Sequence, residues 1–388
     1  MNQSFDEISA QLKSRHRKSA RLKWMSMGAL GLAGMFLVLF FADMLVKGLP
    51  AFQQAQIQVE VDYSEQASEI PLAALSEEIR PLVSRGYLRL IPQRMKDNPE
   101  LQGTTRTEWV LADSAVDQYL KGHHSNLGAD EQSTVDRLAS QGRAELKFNT
   151  TFFAKGDSKM AEFAGIAAAA FGTVMTLLVT LAVAFPIGVM TAVYLEEFAP
   201  DNRFTRLIEI NINNLAAIPS ILFGLLGLAI FIGFFGVPRS SPLVGGLTLA
   251  LMTLPVIIIS TRSALRSVPD SIRHAAFGVG CSRWQMVKDH VLPVAFPGIM
   301  TGSIIGLAQA MGETAPLIIV GMVAFIPDIT GSFTEAATVL PAQIFTWAGE
   351  PERAFIEKTS GGILVLLAVL IFMNATAVVL RKKFERRW

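Results

Sequence analysis

Residues 163–195 read FAGIAAAAFGTVMTLLVTLAVAFPIGVMTAVYL, and not one side chain among them is charged. About 20 apolar residues suffice for a helix to span the hydrocarbon core of a bilayer, so this stretch places the chain in a membrane. Five further windows share its character: 24–42, 210–238, 240–261, 291–327 and 359–380. None contains Lys or Arg, and the window 291–327 holds a single charge, Glu313. The composition agrees, because 17% of residues are charged and 51% hydrophobic, whereas a soluble domain is nearer a quarter charged. The pattern predicts an α-helical polytopic membrane protein with six transmembrane helices.

The remaining composition excludes several classes. A net charge of +1 offers no basic excess to neutralise a nucleic-acid backbone. The single cysteine, Cys281, excludes an intrachain disulfide and a cysteine-based metal cluster. His123 and His124 are adjacent, so their side chains point apart and no shared metal site is expected. No catalytic constellation is visible.

Positive residues mark the cytosolic side. Lys13, Arg15, Arg17, Lys18, Arg21 and Lys23 precede the first window; Arg381, Lys382, Lys383, Arg386 and Arg387 follow the last. Arg262, Arg266, Arg273, Arg283 and Lys288 lie between the fourth and fifth windows. The short loops on the opposite side hold only Arg239, Arg353 and Lys358. Both termini are therefore expected in the cytosol. The first apolar run is too long for a cleavable signal and lacks a small-x-small site, which predicts a retained anchor.

The expected organisation is a basic cytosolic segment (1–23), an anchor helix (24–48), a periplasmic domain (49–160), a transmembrane permease-like core (161–381) and a basic cytosolic tail (382–388). In the periplasmic segment Ile57, Val59, Val61 and Tyr63 alternate with Gln58, Glu60 and Asp62, the period of a half-buried strand. Residues 87–91 and 145–148 are weaker strand candidates, and 130–140 reads as a helix. A small α/β docking or spacer domain follows.

The loop 266–293 is the most informative part of the chain. Pro269 suits a helix start, and the helix would run through Ile272, Arg273, His274, Ala275 and Ala276 until Gly278 and Gly280 break it. Ser282 and Gln285 have capping-box spacing, so a second helix starts there, with Trp284, Val287 and Val291 on one face and Pro293 at its end. Two short helices at a glycine-permitted angle form a rigid lever under the membrane.

At this point the sequence resembles the ABC-importer permeases of the MetI-like superfamily. Their loop runs Glu-Ala-Ala, three residues, Gly, nine residues, Ile, one residue, Leu-Pro. Ala275, Ala276, Gly280, Leu292 and Pro293 match it at the right spacing, whereas His274 stands for the Glu and His290 for the Ile. The resemblance implies that His274, Ala275, Ala276, Gly280, Ser282, Leu292 and Pro293 couple the chain to an ATPase. No G-x-x-x-x-G-K-[ST] loop is present, so ATP and Mg are expected on a separate ATPase chain, with no cofactor on this one.

The stretches Ala308-Gln309-Ala310 and Gly312-Glu313-Thr314-Ala315-Pro316-Leu317 resemble phosphate-specific permeases of the PstA type. So do Asn214-Leu215-Ala216-Ala217-Ile218-Pro219-Ser220, Phe223-Gly224-Leu225 and Leu340-Pro341-Ala342-Gln343-Ile344-Phe345. This resemblance implies an inorganic phosphate importer with a second permease of the PstC kind, a PstB-like ATPase dimer and a PstS-like binding protein in the periplasm. Gln309 occupies a place where phosphate permeases often have Arg. The translocation path is expected along Glu313, Thr314, Gln309, Asn211, Asn214, Ser220 and Arg262. An ionisable group such as Glu313 inside a span faces protein or water; its negative charge makes it a poor direct ligand for an anion. The competing readings are a permease of this architecture for another oxyanion or nutrient, and a secondary transporter acting alone, which predicts inverted repeats that the sequence does not display.

Overall fold

The computed structural model describes residues 2–384. Arg386 and Arg387 of the basic tail lie outside the described residues, as do the side chains of Lys13 and Arg381. In chain order the chain forms α1 (Asn2–Gly48), β1 (Gln53–Asp62), α2 (Arg85–Asp97), β2 (Thr105–Leu111), α3 (Ser114–Leu120), α4 (Ala129–Ser140), β3 (Ala144–Phe148) and α5 (Thr150–Ala154). The bundle follows as α6 (Ala167–Val193), α7 (Arg203–Leu215), α8 (Ser220–Leu226), α9 (Pro242–Arg266), α10 (Asp270–Gly278), α11 (Leu292–Gly312), α12 (Ala315–Ile319), α13 (Leu340–Ala348) and α14 (Arg353–Phe384).

Among the described residues, five helical segments are long and apolar enough to cross a membrane. The pair α7–α8 makes a sixth if counted as one span, but it is bent by 107°. The window 210–238 is therefore not the continuous helix that its composition suggests. Pro219 explains the bend, because proline cannot donate to the helical ladder and disfavours helix in the residue before it. The window 291–327 is broken too. Its helix α11 ends at Gly312, Glu313 is extended, and a new short helix starts at Ala315.

Close backbone approach organises the bundle around α9. Gly246 sits against Val179 and Gly188 against Ile257, where an added Cβ would collide. On the other side Gly298, Gly302 and Gly306 of α11 meet Ala264, Ser260 and Thr253 of α9. That four-residue glycine spacing is the small-residue stripe that lets membrane helices pack closely. The hydroxyls inside the bundle are largely satisfied by their own helices: Thr180 donates to the Thr176 carbonyl at 2.9 Å and Thr248 to that of Val244 at 2.7 Å.

The extramembrane domain is a three-stranded antiparallel sheet in the order β2-β1-β3. Ile57, Val59 and Val61 on one face pack with Leu88 and Ile91 of α2 and Leu138 of α4. Residues 87–91, a strand candidate in the sequence, belong to α2 instead. Ser84 caps that helix by accepting from the Gly86 amide at 3.1 Å, and Leu88, Ile91 and Met95 supply its buried face. Five residues are too few to reveal the longer period. The other candidates, β1, α4 and β3, form where the pattern indicated.

The sheet domain is bolted to the start of α14. The Lys121 ammonium reaches Glu357 Oε1 at 2.5 Å and Asp117 Oδ2 at 2.7 Å, and Gln118 Nε2 donates to Glu357 Oε2 at 2.7 Å. The Lys121 and Glu357 side chains are 4% and 6% exposed. Nearby, Trp347 Nε1 donates to Asp157 Oδ1 at 2.9 Å. Leaving one buried charge without its partner costs about 3–5 kcal/mol, whereas replacing both by apolar groups is often neutral. Lys121→Met and Glu357→Leu should each lower the thermal unfolding temperature of the full chain, and the double variant should recover part of the loss. Additive losses in the double variant would refute the clamp.

Candidate transport path and docking loop

The loop between α9 and α11 forms the two expected short helices. Gly280 adopts φ +85°, the left-handed region that costs other residues about 1–2 kcal/mol. Nothing lies within 4 Å of a Cβ placed there, so the requirement is conformational, not spatial. The capping box is present in both directions: the Ser282 amide donates to Gln285 Oε1 at 2.9 Å, and the Gln285 amide to Ser282 Oγ at 3.3 Å. Pro293 does not end this helix. A π-turn over Met286–Val291 leads without a break into α11, so the lever is the end of a membrane span. Val287 and Val291 are buried while Trp284 is 59% exposed. The shared face predicted for the three is divided, because the wider π-turn intervenes after Gln285.

The sequence-matched residues split by role. Ala276 packs in the cluster of Val287 and Val291, with Leu292 against it. His274, Ala275, Gly280, Ser282 and Pro293 are exposed. His290 Nε2 lies 3.8 Å from Cys281 Sγ. Beside them Phe277, Val279 and Trp284 give the loop an exposed apolar tip, which the motif spacing did not indicate.

A staple not foreseen from the sequence fixes the loop to the bundle. Arg273 donates to Glu197 Oε1 at 2.7 Å, to the Leu265 carbonyl at 3.0 Å and to the Val268 carbonyl at 2.7 Å. It thus joins α10, the last turn of α9 and the end of the span begun by α6. The Glu197 hydrogen bond holds the guanidinium pKa above its ordinary value, against the opposing effect of burial. Beside it Arg262 pairs with Glu196 at 3.1 Å and Glu209 at 2.7 Å, and Arg266 with Glu196 at 2.7 Å. Glu209 belongs to α7, so the network ties the broken span to the same corner. The signal was Glu196-Glu197 at the end of an apolar window opposite three arginines.

The two broken spans meet. A Cβ on Gly224 of α8 would lie 2.8 Å from Pro316 Cα in α12, so the first turn after one break rests on the first turn after the other. Next to this junction Glu313 and Thr314 are half-buried and Gln309 is exposed. Glu313 makes no side-chain hydrogen bond or ion pair among the described residues. On α7 Asn211 and Asn214 are exposed, and Asn211 donates to its own Leu207 carbonyl at 2.8 Å. Ser220 starts α8 half-buried. Arg262 is separate from Glu313, Thr314 and Gln309 but adjoins α7, where its partner Glu209 is two residues from Asn211. Gly298 packs on Ala264, and Glu313 lies 15 residues further along, about 20 Å at 1.5 Å per residue.

Residues 184–388 match the family model described as binding-protein-dependent transport system inner membrane component. Residues 9–96 match a second, described as a domain of unknown function (DUF3333). The chain belongs to the binding-protein-dependent transport permeases, the membrane subunits of ABC transporters. Within that class it is of the PstA type. It is 33% identical to phosphate transport system permease protein PstA 1 of Mycobacterium tuberculosis (strain CDC 1551 / Oshkosh), over 58% of this chain and 72% of that one. It is 35% identical to PstA of Mycobacterium leprae (strain TN), over 58% and 74%. The inward-facing methionine ABC transporter MetNI aligns over 55% of this chain and 95% of that chain at 18% identity, with a TM-score of 0.45.

The staple has a direct test. Each hydrogen bond to a charged group contributes about 1.5–3 kcal/mol, so Arg273→Ala should speed amide hydrogen exchange through α10 several-fold, with Arg273→Lys between it and the parent. Unchanged exchange in α10 would show that Arg273 does not hold the loop.

Proposed function

We propose that this chain is the permease subunit of an ATP-driven importer of inorganic phosphate, with its sheet domain in the periplasm and both termini in the cytosol. The observation that carries the reading is the contact, between Gly224 and Pro316, of the two helices that follow the breaks, beside a polar strip and above a docking loop pinned by Arg273. Likeness to the mycobacterial PstA proteins supplies the substrate. Ion pathways in transporters commonly run past discontinuous helices near mid-membrane.

The chain lines one side of the path. Asn211, Asn214, Gln309 and Ser220 can donate hydrogen bonds to a passing oxyanion, and Glu313 repels it from a resting place. Among the described residues no cation stands beside Glu313, because Arg262 is engaged by Glu196 and Glu209. A phosphate in a low-dielectric passage requires compensation. A second permease, of the PstC kind, supplies it across a heterodimer interface. A separate PstB-like ATPase dimer, which holds ATP and Mg, grips the apolar tip of Phe277, Val279 and Trp284. A PstS-like periplasmic protein delivers the phosphate. Closure of the ATPase pushes α10, and Arg273 passes that push to α9 and to the ends of α6 and α7.

Reconstituted with its partner permease and ATPase, the chain should support ATP-dependent phosphate uptake that sulfate and phosphonate do not compete away. Gly280→Val should abolish uptake while leaving membrane insertion intact. Uptake by this chain with the ATPase alone would overturn the heterodimer, and preferential transport of sulfate or phosphonate would overturn the substrate.

A further inference from the structure

We propose that the exposed apolar patch of Leu146, Phe148 and Phe153 is a membrane foot, on which the sheet domain rests against the lipid headgroup boundary on its own side of the bilayer.

Three spans fix the height of this patch. The Ile166 amide donates to the Phe152 carbonyl at 2.7 Å and the Ala167 amide to the Lys155 carbonyl at 3.0 Å, so α5 lies level with the start of α6. Gly361 of α14 packs on Ala51 and near the Phe152 ring, and Gly48 of α1 packs on the Ser360 carbonyl. The ends of α1, α6 and α14 therefore converge on α5, where their apolar windows begin or stop. The clamp of Lys121 to Glu357 prevents the domain from swinging away from that level.

The patch itself has the composition of a membrane interface. Phe153 stacks on Phe148 with ring centres 5.6 Å apart and planes at 4°, and Phe52 stacks on Phe153 at 5.6 Å. Phe148 is 64% exposed and Phe153 43%, and Val46 at the end of α1 and Leu49 just beyond it are exposed as well. Lys155, two residues from Phe153, is exposed. Aromatic rings beside a lysine favour the boundary between acyl chains and headgroups. β3 is also an edge strand, and edges left bare invite pairing with other chains; a lipid surface covers this end of it.

The strand β1 provides a control. Its ten residues rise about 30 Å from the membrane end, and Thr105 pairs with Asp62 at the far end. Because Cys281 is the only cysteine, a Cys281→Ser background accepts single labels. Phe148→Cys, Leu146→Cys and Thr105→Cys would each carry a bimane fluorophore in the full chain, in phosphatidylcholine–phosphatidylglycerol vesicles containing a lipid with a headgroup nitroxide. Quenching at 148 and 146 should exceed that at 105 several-fold. Equal quenching at all three would overturn the proposal. So would a label at 148 and 146 shielded from both the nitroxide lipid and aqueous iodide, because a protein partner would then cover the patch.

Discussion

In a bilayer, helices gain nothing hydrophobic by leaving lipid for one another, so their association depends on van der Waals contact and buried polar bonds. Here that contact depends on backbone approach to α9. Gly188 and the Val179–Gly246 contact fit α6 to it on one side, and Gly298, Gly302 and Gly306 fit α11 to it on the other. A single methyl at Gly302 would collide with Ser260. Arg273 holds the Leu265 carbonyl in the last turn of α9 and the Val268 carbonyl just beyond it. The geometry that packs the spans is continuous with the geometry that positions the docking loop.

Charge placement follows from the same constraint. Ionisable groups are costly in hydrocarbon, and the chain confines nearly all of them to the two ends of the spans. At one end the network of Glu196, Glu197 and Glu209 with Arg262, Arg266 and Arg273 converts three helix ends and α10 into one piece. At the other, Asp117, Lys121 and Glu357 do the same for the sheet domain and α14. Both clusters are largely shielded from water. They therefore act as registry devices: breaking one partner is expensive, while the intact pair adds little net stability. Between the two clusters, Glu313 makes no side-chain hydrogen bond or ion pair among the described residues.

Much of this was legible in the sequence because the bilayer imposes few solutions. Charge-free windows of 19 residues or more marked the spans, the Ser282-Gln285 capping box marked the second short helix, and alternation marked β1. What was not legible required a third dimension. Nothing local distinguishes the 210–238 window from a continuous helix until Pro219 is weighed against its exposed neighbours. Residues 87–91 alternate over too short a run to reveal their helical period. The partner of Arg273 is 76 residues away, beyond any local pattern, although the Gly298-x-x-x-Gly302-x-x-x-Gly306 stripe was open to reading. At the candidate site the sequence put Glu313 beside a kink, and Glu313 and Thr314 do lie between the end of α11 and the start of α12; that Arg262, named for the same path, pairs with Glu196 and Glu209 instead of approaching Glu313 required the fold.

The breaks themselves argue for a larger assembly. Irregular backbone at membrane depth is tolerated only where protein buries it or water lines it. Ala216, Ala217, Pro219 and Gly312 lie at the two breaks and are exposed in the isolated chain. Asn211, Asn214 and Gln309 are exposed alongside them, and lipid could satisfy none of their amides. The contact of Gly224 with Pro316 joins the helices that follow the two breaks, and these exposed polar groups make up the proposed strip. On the proposed reading this strip is the wall of a passage, and a second permease forms the opposite wall. On that same reading, a carboxylate with no side-chain partner and the lack of a cation beside it, both among the described residues, belong together: the countercharge for an anion would come from across the interface.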